Sequence, residues 1–173
     1  ELSSQAITYG QTPLQQLTVE HPGPWPLITC HAVLEWLGDP RAALASLAKL
    51  LAPGGQLSLM VFNRDALRFS NALKGNVDKA LSDRLEGQGK RQRLTPISPL
   101  THDQVAQWSA DHHLTIASVA GIRIFQDYLQ HPPASDAERD KLLALEKRYC
   151  QHDPHWRLGR YLLYTLRKPE AVI

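Results

Sequence analysis

Arg123 stands inside an otherwise apolar run, Ala120 to Phe125, and burying an unpaired charge in such a run is costly. A guanidinium held there calls for an anionic partner, which its planar fork can hold through two hydrogen bonds at once, as an ammonium does less well. An exposed strand face, or an ion pair with Asp127, explains the same residue. A second pattern is His31 to Pro40, read His-Ala-Val-Leu-Glu-Trp-Leu-Gly-Asp-Pro, which leaves an apolar stretch and enters a helix. In open α/β sheets ligands bind at that junction, and the imidazole of His31 can donate or accept a hydrogen bond there. Glu35 could cap or pair locally, and Trp36 reads as a core anchor. Asn63 follows another apolar run and either lines a pocket or starts the turn into Arg64 and Asp65. Farther on, Lys74, Lys79, Arg84, Lys90, Arg91 and Arg93 outnumber Asp78, Asp83 and Glu86, a local net charge of +3 against +2 for the whole chain. Such a stretch suits sequence-independent contacts to nucleic-acid phosphates, and a plain solvated loop has the same composition. Cys30 and Cys150 lie far apart and match no metal-ligand spacing, and the histidines from His102 to His155 form no ligand pattern, so no metal site is indicated.

These residues need a scaffold. The chain has 173 residues, 43% apolar and 21% charged, enough to bury a core. No apolar stretch approaches the roughly 20 residues of a membrane-spanning helix, and no charged-then-apolar leader opens the chain, so a soluble, cytoplasmic protein is expected. Strand-like runs at Pro26 to Cys30 and Gln56 to Phe62 flank a helix over Pro40 to Leu51, whose Leu44, Leu47, Leu50 and Leu51 recur at helical spacing. Asp39 caps that helix, Pro40 takes its first position, and Pro53-Gly54-Gly55 ends it. A β–α–β unit of this kind implies parallel pairing and a sheet covered by helices on both faces, an α/β protein of doubly wound type. Upstream, Ala6 to Tyr9 reads as a short strand and Thr12 to Val19 as a helix. Downstream come a helix over Asp65 to Leu85 broken at Gly75-Asn76, a polar loop from Glu86 to Pro99, and a helix capped by Thr101 and running through Ala110. A strand from Leu114 to Phe125 bent at Gly121, a helix from Ser135 to Tyr149 and a strand from Arg160 to Arg167 complete the pattern. There is no internal repeat and no linker between domains.

With Leu50-Leu51-Ala52-Pro53-Gly54-Gly55-Gln56-Leu57-Ser58-Leu59-Met60 behind it, the His31 to Pro40 run resembles the second half of a class I S-adenosylmethionine-dependent methyltransferase. More narrowly, His-Ala-Val-Leu-Glu-Trp is similar to the bacterial enzymes that methylate the carboxylate of 5-carboxymethoxyuridine at the wobble position of tRNA. Further similarity lies in Gly121 to Leu129, Leu145 to Cys150 and Leu158 to Tyr161. The resemblance implies one methyltransferase domain over residues 1–173, with a Rossmann-like doubly wound sheet that runs from the family's third strand to its last. The family's first two strands and its Gly-rich cofactor loop are then missing; the only Gly-x-Gly, Gly87 to Gly89, follows no strand. Glu1 at the start and a single methionine, Met60, fit a chain without its natural beginning. The sheet edge at Ala6 to Tyr9 is expected to be short, rearranged or supplied by another copy in a homo-oligomer, and this chain alone is expected to be inactive.

The resemblance also assigns sites. Gly10 and Gln11 match positions that contact the adenine end of S-adenosyl-L-methionine, although from the residues alone a turn capping a helix at Thr12 is the better explanation. His31 matches a further cofactor contact. Arg123 and Tyr128 become candidate catalytic residues, and Asn63, Arg91, Arg93, Arg148, Tyr149 and Arg160 candidate substrate contacts. A carboxylate is ionised at neutral pH and attacks a methyl group in line, so such a site needs no general base; it needs proximity and orientation. The implied substrate is tRNA. A small carboxylic acid or metabolite, or a non-catalytic α/β interaction module, is the alternative.

Overall fold

The computed structural model describes residues 7–86 and 96–171. Four strands, β1 (Trp25–His31), β2 (Leu51–Phe62), β3 (Thr115–Ile122) and β4 (Tyr161–Arg167), form one sheet in the order β1-β2-β4-β3. The helices are α1 (Leu17–Glu20), α2 (Pro40–Leu50), α3 (Arg64–Leu73), α4 (Val77–Leu81), α5 (His102–Asp111) and α6 (Asp136–Tyr149). β1 and β2 pair in parallel across the α2 connection, as the β–α–β pattern requires, while β4 runs antiparallel to both of its neighbours.

Local chemistry sets the boundaries. Asp39 accepts the Ala42 N–H at 2.9 Å with Pro40 in the first turn of α2, so the cap satisfies a donor that the helix itself cannot. The helix stops at Leu50 because Leu51 is already extended, and the residue before Pro53 is sterically held there too. Pro53-Gly54-Gly55 therefore lies inside β2 and is not a separate turn. Thr101 and Gln104 form a reciprocal capping box at the start of α5.

The core lies on one face of the sheet. Cys30 of β1, Leu57, Leu59 and Val61 of β2, and Leu162, Tyr164 and Leu166 of β4 cluster with Leu44, Leu47 and Ala48 of α2 and Val105 of α5. Burying each large aliphatic chain contributes about 1.5–3 kcal/mol. The alternate residues Leu27, Thr29, Ser58, Met60, Leu163 and Thr165 belong to the other face and are half-buried or exposed. The expectation of helices on both faces is thus corrected for the described residues. Crossovers that advance in one direction and share the right-handed sense place their helices on the same side, which is where α2 and α5 sit.

Three further expectations change. Ile7 to Tyr9 form no strand and the edge is rearranged, because no neighbouring strand offers their backbone a ladder; Ala6 lies outside the described residues. The Thr12 to Val19 helix shrinks to a 3₁₀ turn, Leu14–Gln16, followed by α1. Trp36 is 44% exposed and anchors no core.

Candidate functional site

β2 and β3 end, and β4 begins, at one edge of the sheet, where Phe62 and Ile122 both stand opposite Tyr161. Asn63 builds this corner. Its side chain accepts the Asp65 N–H at 3.0 Å to cap α3, and its Nδ2 donates to the Arg157 and Gly159 carbonyls, each at 2.8 Å. Its own N–H donates to the Arg160 carbonyl at 3.0 Å. The chain can pass so close because Gly159 and Gly121 meet face to face: a Cβ on Gly159 would stand 2.5 Å from the Gly121 Cα. Asn63 is wholly buried and fully engaged, so the expectation that it lines a pocket gives way to a structural role that fixes the backbone of Arg160.

After β3 the chain turns sharply. Arg123 does not lie in a strand, as its apolar neighbours suggested; it adopts φ 61° beyond the strand end, a region that few non-glycine residues occupy. The 3₁₀ turn Gln126–Tyr128 follows. Within it, the Asp127 carboxylate accepts hydrogen bonds from Arg123 and, at 3.0 Å, from Arg160. Two guanidiniums share one carboxylate, and each keeps a buried Nε–H without a partner. The cluster therefore carries excess positive charge and unspent donors, suited to a second carboxylate.

Beside it lies a cavity of about 140 Å³, lined by Phe62, Ala66, Leu67, Ser70, Lys74, Asp127, Tyr128 and Arg160. Arg160 faces this space with its guanidinium 5.4 Å from the Phe62 ring centre. Arg123 is not part of the wall and reaches the cavity only through Asp127, whereas Arg160 lines it directly. Tyr128 does line the cavity, but its hydroxyl donates to the Leu158 carbonyl at 2.7 Å. Burial, with Asp127 alongside, pushes its pKa up to about 12, so it stays a neutral wall and hydrogen-bond donor.

The remaining candidates lie elsewhere. Arg148 is exposed, with its guanidinium 5.6 Å from the Tyr149 ring; Tyr149 packs against His155 and Phe125. Neither lines the cavity. Arg91 and Arg93, with Gly87 to Gly89, lie outside the described residues. His31 ends β1 exposed, its Nε2 2.9 Å from the Ser58 hydroxyl, and Gly10 and Gln11 are exposed coil. An imidazole and a side-chain amide suit the polar rim of S-adenosyl-L-methionine. Sequence reasoning missed Ser70 as a wall residue and Glu146, whose carboxylate collects backbone N–H groups from the turn. A serine or glutamate on a helix carries no signal of either role.

A family model described as "Methyltransferase domain" matches residues 4–119. The chain belongs to the methyltransferase domain family. It is 39% identical over 148 residues to a tRNA 5-carboxymethoxyuridine methyltransferase of Escherichia coli (strain K12), covering 86% of this chain and 56% of that protein. It is 32% identical over 120 residues to a ubiquinone biosynthesis O-methyltransferase of Xanthomonas campestris pv. campestris (strain B100), covering 69% of this chain and 48% of that protein. The chain thus spans about half the length of the curated relatives it matches. An S-adenosylmethionine dependent methyltransferase structure from Mesorhizobium loti superposes with a TM-score of 0.54 at 14% identity, over 95% of this chain and 71% of that one. That likeness shows the fold, a Rossmann-like class I methyltransferase sheet in incomplete form. Among the described residues no helix is long and apolar enough to cross a membrane.

Proposed function

We propose that the protein carrying this chain is an S-adenosylmethionine-dependent methyltransferase that esterifies the carboxylate of 5-carboxymethoxyuridine at the wobble position of tRNA. The observation that carries this reading is the pair of Arg160 and Asp127 on the wall of the cavity at the strand ends, with Arg123 bonded to Asp127 from behind it. The relative from Escherichia coli supports the substrate class. Arg160 presents its fork to the substrate carboxylate and fixes the oxygen that attacks. Asp127 and Arg123 hold Arg160 in place and set the charge of the site. Phe62, Tyr128 and the α3 residues Ala66 and Leu67 shape the wall against the pyrimidine and exclude water. When bound, S-adenosyl-L-methionine supplies the methyl group, and Gly10, Gln11 and His31 are the residues of this chain that would hold it. Lys74 at the cavity mouth and the basic stretch beyond it favour a polyanion, and a cytoplasmic location goes with a tRNA substrate.

The test is salt dependence of substrate affinity in the full-length protein. With tRNA as substrate, affinity falls steeply as salt rises, because phosphate contacts release counterions. A flat response would assign the cavity to a small carboxylic acid instead. No measurable methyl transfer to either would leave a non-catalytic module.

A further inference from the structure

We infer that Glu146 is a positioning residue for the carboxylate grip, acting through the turn that carries Arg123 and Asp127; this deepens the reading of the cavity proposed above and rests on it. From α6, the Glu146 Oε2 accepts the Ile124 N–H at 2.8 Å, and its Oε1 accepts those of Phe125 and Gln126, each at 2.9 Å. Successive backbone N–H groups in such a turn form a concave nest for an anion, and here the nest is filled from within the protein. Arg123 immediately precedes the first of these donors, and Asp127 immediately follows the last.

The turn depends on this carboxylate. Arg123 is held at φ 61°, a conformation that persists in a non-glycine residue only where its surroundings impose it. The 3₁₀ turn that presents Asp127 receives no side-chain cap from its own N-cap residue, Phe125. With Glu146 removed, three adjacent N–H groups lose their acceptor, the backbone at Arg123 is free to relax, and the shared carboxylate of Asp127 shifts away from Arg160. The role is specific to the grip, because no residue of α6 is buried in the core. What Glu146 holds is the turn.

The experiment compares the parent, E146A and E146Q in the full-length protein by tRNA methylation kinetics, cofactor affinity, thermal unfolding and amide hydrogen exchange. E146A is expected to stay folded with cofactor affinity within about twofold of the parent, while kcat/KM for tRNA falls about 10- to 100-fold, the scale of a misplaced reacting group. E146Q keeps an acceptor oxygen and should recover to within about fivefold. Exchange at Ile124, Phe125 and Gln126, slow in the parent, should become fast in E146A. An E146A protein with unchanged tRNA kinetics, with cofactor affinity falling in step with tRNA use, or with those three amides still protected would overturn the role. The exchange arm is read without substrate, so a parent protein that leaves the tRNA acid unmethylated yet shows the amide response counts against the proposed function and not against Glu146.

Discussion

The two ends of the sheet's functional edge are built very differently. At the β3 and β4 end, Arg160 is fixed from three sides: its carbonyl by Asn63, its guanidinium by Asp127, and Asp127 by a turn that Glu146 holds. At the β1 end, His31 is exposed and tied by one contact to Ser58, and Gly10 and Gln11 lie in exposed coil. Preorganisation of a charged group requires packing and hydrogen bonds that lock its rotamer before the ligand arrives. The described residues supply that at the β3 and β4 end and not at the β1 end, so under the proposed function the carboxylate grip is the better preorganised half of the site.

Substitutions can break this contrast. Arg160→Ala removes the fork that faces the cavity and should lower kcat/KM for tRNA in the full-length protein by about 100-fold or more, with cofactor affinity measured by calorimetry nearly unchanged. If both fall together, the two ends are not separate. Arg123→Ala acts only through Asp127, and a loss of about 10-fold on the same assay is expected; a loss larger than that of Arg160→Ala would return Arg123 to the cavity wall. His31→Ala should do the reverse, weakening cofactor affinity by about 3- to 10-fold, the worth of one hydrogen bond, while tRNA affinity holds.

A smaller effect comes from Glu35, in the 3₁₀ turn Leu34–Trp36 that follows β1. It is 1% exposed, and burial raises its pKa above the ordinary carboxylate value despite backbone hydrogen bonds that oppose the shift. The folded state thus favours the neutral acid. Below the unfolded-state pKa of about 4.3 this costs nothing, and as pH rises past that value the unfolded chain ionises first and the fold loses stability. Glu35→Gln, which mimics the neutral form, should match the parent in thermal midpoint near pH 4 and exceed it by a growing margin toward pH 7. A constant offset across that range would show that Glu35 is not held neutral.

How far the fold was legible follows from where its signals are local. The α2 crossover was readable to within a residue because leucine spacing, the Asp39 cap and Pro40 all act within one turn. The strand at Ala6 to Tyr9 was not, since a strand exists only with a neighbour to pair with. Arg123 looked like a strand residue because the apolar run around it has strand composition; the positive φ that lifts it out is imposed by Glu146, 22 residues beyond the Ile124 that it holds. Arg160 was named only by resemblance. Its bond to Asp127 spans 33 residues, and no spacing rule connects them. Asn63 was placed correctly at the strand end, but its use by two distant carbonyls appears only when the chain is folded.

The central claim is tested most directly by the mass of the wobble nucleoside after tRNA bearing 5-carboxymethoxyuridine is incubated with the full-length protein and S-adenosyl-L-methionine, in parallel with the Arg160→Ala variant. The expected result is conversion of the acid to its methyl ester, a gain of one methylene in mass, with the variant strongly impaired. An unchanged nucleoside mass under saturating cofactor, or full conversion by Arg160→Ala, would contradict it.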